Sequence, residues 1–281
     1  MTTKLPKVSQ LTIPGQRQAD LSEVVTEIAI EYVTDSVSEL SITFADTNHR
    51  IAKRANGLIG QMLTYDGVRW QVGSVDSELA AWGSLITVRA RDPLAKKLRV
   101  TYKTSAEKKV SPGQWVEGRI KKAGGRAIVQ PSAKRATIAQ SKNQSVLDVI
   151  GDLAGELEWS WVSHSGVFIF GSRFAAWQGS IGGLPTWRVS WDFEPSTDAL
   201  SASWSDSDDN TDNRATLEIE LAYEHGVRLR PWHRLNSTIP GADGIWLIES
   251  VNIVHDGVSA VQISATKPKK PSPKAGSSAK E

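Results

Sequence analysis

TEIAIEYVTDSVSELSITF, residues 26–44, decides the fold class. Ile28, Ile30 and Tyr32 alternate with Glu27 and Glu31, and Leu40, Ile42 and Phe44 alternate with Ser41 and Thr43. A side-chain period of two with one polar face marks half-buried antiparallel strands. The polar link Thr34-Asp35-Ser36 joins the two runs as a hairpin. The stretch after Asp46 reads as a short helix ending near Asn56-Gly57. Asp66-Gly67 then supplies the positive φ of a type I′ turn, and its return strand sets Val68, Trp70 and Val72 on one face. Ile86, Val88 and Ala90 make a further strand, and Asp92-Pro93 closes this half.

The chain then changes character. Ser111-Pro112 is an N-cap and first-turn pair, opening a helix that carries Trp115, Val116 and Ile120 and ends at Gly124-Gly125. A second helix begins at Ser145, with Asp148 placed for a capping box. Val146, Val149, Ile150, Leu153 and Leu157 form one apolar stripe along it. Residues 159–162 and 167–170 flank the turn His164-Ser165-Gly166 as a hairpin. Strands return from about residue 185. Leu217, Ile219 and Leu221 alternate with Glu218 and Glu220, Asp243-Gly244 leads into residues 246–254, and Asp256-Gly257 turns the chain into residues 258–265. The expected fold is mainly β with an α+β middle: a first tube-like β-barrel domain over 1–98, a helix-strand-helix-hairpin unit over 99–175, a similar second barrel over 176–266, and a disordered basic tail over 267–281.

One internal echo crosses these boundaries. Trp70-Gln71-Val72-Gly73-Ser74-Val75 and Trp246-Leu247-Ile248-Glu249-Ser250-Val251 both follow an Asp-Gly pair and both read W-x-[VI]-x-S-V. Hairpins favour such residues by composition alone; the other reading is a duplicated barrel.

Composition narrows the function. The 281 residues are 40% hydrophobic and 23% charged, a globular balance. The absence of cysteine removes disulfides, thiolate nucleophiles and cysteine-based metal sites. The N-terminus lacks the apolar core of a signal peptide, and no run approaches the roughly 18 apolar residues of a membrane helix, so a soluble protein without membrane insertion is expected. Eleven tryptophans read as core and interface anchors, with sugar-stacking platforms as the alternative.

Nothing in the sequence assembles a catalytic motif. His49, His164, His225, His233 and His255 stand in no metal-protease spacing, and there is no nucleophile elbow, phosphate loop or dinucleotide fingerprint. No enzyme activity and no cofactor are expected. Asp206, Asp208, Asn210 and Asp212 offer oxygens at alternate positions, as a calcium loop does. Thr211 stands where the sharp turn wants Gly, and Leu217 where a bidentate Glu belongs, so a solvated acidic loop is the plainer reading.

Charge is segregated. Residues 94–142 hold thirteen Lys and Arg against Glu107 and Glu117, while residues 192–224 hold ten acids against Arg214. Opposed blocks of similar size suit complementarity within the chain or between subunits; nonspecific nucleic-acid binding and a plain solvated face are the alternatives. Lys121, Lys122, Arg126, Lys134 and Arg135, with Trp70 and Trp246 of the echo, are the candidate subunit or partner interface.

Three segments resemble the baseplate hub family of tailed phages, related to the late control D proteins and tail-associated hub proteins. They are VTEIAIEYVTDSVSELSITFAD near the N-terminus, the middle stretch from VSPGQWVEGRIKKAGGRAIVQPS to TIAQSKNQSVLDVIGDLAGELEWSWV, and the ending GADGIWLIESVNIVHDGVSAVQISATKPKKP. The resemblance covers most of residues 20–270 and is poorest over 173–214. It implies a homotrimer in which each subunit gives two tube-like barrels, so that six similar domains match a six-fold tail tube and present a three-fold platform to the tip. It further implies a place at the virion tail tip after assembly in the host bacterial cytoplasm. The implied partners are a distal tail or tube ring protein, the end of the tape-measure protein, and tip, spike or receptor-binding proteins, with genomic DNA passing through the ring. A carbohydrate-binding tail module, a peptidoglycan-cleaving enzyme and the hub of a phage-derived injection apparatus are the competing readings.

Overall fold

In the computed structural model, which describes residues 10–47, 49, 52–102, 104–132, 135–191, 198–206, 213–255 and 259–270, the first half contains β1 (Leu11–Thr12), α1 (Gln18–Val24), β2 (Val25–Val33) and β3 (Glu39–Asp46). A 3-10 segment (Ala52–Leu58), β4 (Met62–Tyr65), β5 (Val68–Ala80) and β6 (Gly83–Arg91) complete it. The middle holds α2 (Pro93–Arg99), β7 (Ser105–Val110), α3 (Pro112–Lys122), β8 (Arg126–Val129), β9 (Ala136–Gln140), α4 (Val146–Leu157), β10 (Ser160–His164), β11 (Val167–Gly171) and α5 (Arg173–Trp177). The second half runs through β12 (Thr186–Val189), β13 (Ala199–Asp206), β14 (Asn213–Ala222), α6 (Tyr223–Gly226), β15 (Arg234–Ser237), β16 (Gly244–His255) and β17 (Ser259–Pro268). The chain is mainly β with an α+β middle.

Local sequence signals account for most of these elements. β2 and β3 pair as the expected hairpin, and Asp66 and Gly67 take φ of 49° and 73°, the two left-handed residues of a type I′ turn. Ser165 and Gly166 repeat that geometry at 51° and 75°. The Ser111 hydroxyl accepts from the Gln114 N–H, and Ser145 and Asp148 cap α4 reciprocally. Asp92-Pro93 does more than close the first half. The Asp92 carboxylate accepts from the Leu94 N–H at 3.1 Å and starts α2, whose Leu94, Ala95 and Leu98 are buried. It is the same cap-and-proline pair as Ser111-Pro112, read in the sequence only as a breaker. The expected tail also begins later than residue 267, because β17 continues to Pro268; the turn Asp256-Gly257 and residues 271–281 lie outside the described residues.

Most strands belong to one twelve-stranded sheet, ordered β1-β4-β5-β6-β3-β2-β16-β17-β14-β13, with β15 joined to β16 and β12 to β15. The two halves meet at β2 and β16, which pair antiparallel with Tyr32 opposite Val251 and Ile30 opposite Ile253. One apolar core follows the sheet across the junction, including Ile30, Phe44, Trp70 and Val88 on one side and Leu217, Trp246, Ile253 and Ile263 on the other. The described residues of the two expected barrels are therefore continuous in sheet and core. The middle unit has a core of its own around Trp115, Ile120, Ile150, Phe168 and Phe170. Its β10-β11 hairpin seals onto Trp232 and Leu247 of the second half.

Candidate assembly interface

Strand register turns the sequence echo into a repeated unit. On β5 and β6, Val72 faces Ala90 and Ser74 faces Arg89; on β16 and β17, Ile248 faces Ala265 and Ser250 faces Ser264. Gly73 and Glu249 are thus bulge residues at the same place. One strand further, Leu40, Ile42 and Phe44 of β3 match Leu217, Ile219 and Leu221 of β14. The outer strands match as well: β2 has its extra residue at Thr26 and β13 at Leu200, again at equivalent positions. Bulges are placed features of a fold rather than defects. Two coinciding bulges across four strands make β2-β3-β6-β5 and β13-β14-β17-β16 two copies of one unit, laid side by side in one sheet.

The two units alternate in the usual way. One face is core, and the other is polar and uncovered. Glu27, Glu31, Glu39, Asp76, Glu78, Glu218 and Glu220 lie on the polar face against Arg69, Arg89 and Arg91. Arg91 pairs with Glu39 at 3.0 Å, and serines answer two of the glutamates, Ser264 to Glu218 at 2.7 Å and Ser201 to Glu220 at 3.3 Å. The face is net acidic and hydrogen-bonded, with Leu85, Val33 and Val254 as its half-buried apolar residues.

The sequence candidates fall in different places. Trp70 and Trp246 are each 1% exposed, so they are core residues and not surface contacts. Period two points both rings inward; Trp70 packs on Tyr32, and the Trp246 indole N–H donates to the Ala242 carbonyl. Lys121, Lys122, Arg126 and Arg135 are exposed, the first two in the last turn of α3, where cations suit the helix dipole. Lys121 pairs with Glu117, and Arg119 with Glu107, so these pairs close within the basic block itself. Asp206 is exposed at the end of β13; Lys134, Asp208, Asn210 and Asp212 lie outside the described residues.

Sequence reading missed the polar junction that holds the three parts together. The β2-β3 turn seats on β10: the Asp35 N–H donates to the Trp161 carbonyl, the Trp161 N–H to the Asp35 carboxylate, and the Ser38 hydroxyl to the Ser163 carbonyl. The Ser163 hydroxyl in turn donates to Asp92 at 2.5 Å. Burial raises both carboxyl groups above their usual range. Nearby, Arg230 lies 4.3 Å from the Tyr32 ring centre and donates to the Val227 and Leu229 carbonyls. His164 meets Tyr32 and His233 edge-on. Burial, reinforced by the Arg230 cation, lowers His164 to about 3 and His233 to about 4. Both imidazoles are therefore neutral near pH 7; His233 Nδ1 accepts from the Trp187 indole N–H and the Arg230 backbone N–H, and His164 serves as a packing group. The only sequence signal for this junction was the density of Asp, Ser and His in predicted turns.

Neither a protein-family model nor a curated protein matches the sequence. Solved structures do. The 43 kDa tail protein of prophage MuSo2 from Shewanella oneidensis matches with a TM-score of 0.64 at 12% identity, over 92% of this chain and 95% of that one. The tail protein from Neisseria meningitidis MC58 gives 0.62 at 10% identity, over 92% and 95%. An E. coli component of the type VI secretion system, described as structurally similar to the T4 bacteriophage tail proteins gp27 and gp5, gives 0.64 at 12% identity, over 93% and 79%. The resemblance read from three sequence segments thus extends to nearly the whole chain, which has the fold of these phage tail proteins.

Proposed function

We propose that the protein is a non-catalytic structural hub of a phage tail tip, a ring-forming homotrimer that adapts a six-fold tail tube to a three-fold tip. The observation that carries this reading is the tandem repeat. Two copies of one four-strand unit lie in a single sheet, so three chains supply six equivalent units. Contacts that run head to tail form rings when the rotation closes. In such a ring the uncovered polar face lines the channel. Its carboxylates and hydroxyls offer passing DNA few cations, and cationic contacts to phosphate are what hold nucleic acid. The partners proposed with this role are a tube ring protein, the tape-measure end and a tip, spike or receptor-binding protein.

A second reading has its own support. The likeness to a type VI secretion component suits the hub of a phage-derived injection apparatus, built on the same ring. For the carbohydrate-binding alternative the tryptophans divide: Trp70, Trp115, Trp161, Trp232 and Trp246 are buried, whereas Trp82, Trp191 and Trp204 are exposed and the last two share one hollow. The test of the hub reading is the mass of the purified protein by light scattering, together with its symmetry in images of particles. A trimer with six-fold-like density supports it, and a strict monomer inside the assembled object overturns it.

A further inference from the structure

The tandem sheet leaves two matching edges open. Beyond Val72, whose backbone bonds Gly60 and Gln61 just before β4, β5 has no strand partner on that side among the described residues, so residues 74–79 present bare backbone groups. At the opposite end of the sheet the Ala199 N–H donates to the Ser190 carbonyl, and from Ala202 to Asp206 β13 pairs with β14 alone among the described residues. Long unpaired edges are templates for strand addition unless something blunts them. Neither edge carries a Lys or a Pro.

Repetition says what fits each edge. Residues 74–79 are the counterpart of residues 250–255 of β16, and Ala202–Asp206 are the counterpart of Ile28–Tyr32 of β2. Within the chain those counterparts pair directly, His255 opposite Ile28, Ile253 opposite Ile30 and Val251 opposite Tyr32. We propose that β5 of one copy pairs antiparallel with β13 of the next in this same register, placing Leu79 opposite Ala202, Ser77 opposite Trp204 and Asp76 opposite Ser205. The proposal rests on the hub reading and names the surface that closes its ring.

Side chains at the two edges support the match independently. Leu79 is 73% exposed and Trp82, at the tip of the same hairpin, 56%. On the other edge Trp204 is 47% exposed and Trp191 42%, and together with Ala202, Ile239 and Pro240 they line a shallow apolar hollow of about 250 Å³. The transferred register sets Leu79 against Ala202, at this hollow. It also puts Glu78 beside Ser203, the cross-strand Ser–Glu pairing that Ser264–Glu218 and Ser201–Glu220 already make within the sheet.

The chain has no cysteine, so an engineered pair supplies the only thiols. The double variant Glu78→Cys/Ser203→Cys should cross-link between copies on mild oxidation and run as a covalent trimer, while the shifted pair Glu78→Cys/Ser205→Cys should lose that product. Leu79→Glu and Trp204→Glu should each move the native mass from trimer to monomer while the circular dichroism spectrum stays that of the folded chain, and their melting temperature should no longer rise with protein concentration. A trimeric mass without the Glu78/Ser203 cross-link overturns this register and leaves the hub reading standing. A cross-linked ladder beyond three copies supports the register and overturns the three-copy ring. A monomeric mass with no cross-link overturns both.

Discussion

Gly73 and Glu249 hold one position in the two copies of the repeated unit, yet only the second has been given a task. Each is the extra residue of a bulge between a core-facing Val or Ile and a Ser. At Gly73 an added Cβ would meet little, its nearest neighbour being the Arg89 carbonyl at 3.8 Å. At Glu249 the side chain takes the Arg173 guanidinium at 2.6 Å and the Thr266 hydroxyl at 2.9 Å. Its carbonyl accepts from both the backbone N–H and the hydroxyl of Thr34 in the first half. One bulge thus ties the first half, α5 and β17 together.

Glu249→Ala should therefore destabilise the fold by about 1–3 kcal/mol, the range for losing charge-assisted hydrogen bonds at a partly buried site. Arg173→Ala should cost a similar amount. A double-mutant cycle in denaturant should return a coupling of about 0.5–3 kcal/mol, and additive single effects would show that the pair contributes nothing jointly.

Replacing Trp70 or Trp246 by Ala should cost about 3–5 kcal/mol each, as large core truncations do. Replacing the exposed Lys121, Lys122, Arg126 or Arg135 should stay within about 0.5 kcal/mol. Urea denaturation of the purified variants separates the two groups, and equal small effects would place the tryptophans at a surface.

The fold class was legible because period two, Asp-Gly turns and Ser or Asp caps are local signals, and the residues that carry them lie within a few positions of each other. The Trp70 and Trp246 assignment failed for a physical reason. A motif shows that two tryptophans are equivalent, but which face of a strand is covered depends on distant strands. The duplication was visible in sequence only over W-x-[VI]-x-S-V. Elsewhere the equivalence pairs Ile30 with Trp204 and Tyr32 with Asp206, which register alone can align. The free edges of β5 and β13 were invisible for the same reason, since an edge is defined by the absence of a neighbour.

Gly226→Ala should destabilise by about 1–3 kcal/mol through overpacking. A Cβ there would lie 2.4 Å from the Cβ of Val261, which is fully buried and held between Leu221 and Ile253 by the sheet. In a double-mutant cycle with Val261→Gly, which removes the Cβ in the way, the combined loss should be smaller than the sum of the two single losses; additive losses would mean that something other than the valine sets the limit at this position.

Acid should weaken the junction of the three parts before it touches most carboxylates. His164 and His233 sit at about 3 and 4 in the folded chain and at about 6.5 when unfolded. The unfolded state therefore binds protons that the folded state refuses, so stability falls as pH drops below about 6.5 and stays low below the folded values. Asp35 and Asp92 act with the opposite sign: burial raises them, and their cost to the fold grows only as pH climbs from about 3.8 toward their folded values. Acid relieves that cost, so it partly offsets the histidine loss at the low end. At pH 6 the two histidines together can contribute a slope of about 2 kcal/mol per pH unit, rising further toward pH 5. His164→Phe should roughly halve that slope in unfolding free energies measured from pH 7 to 5. An unchanged slope, or a His164 resonance titrating near 6.5, would show that its ring is open to solvent.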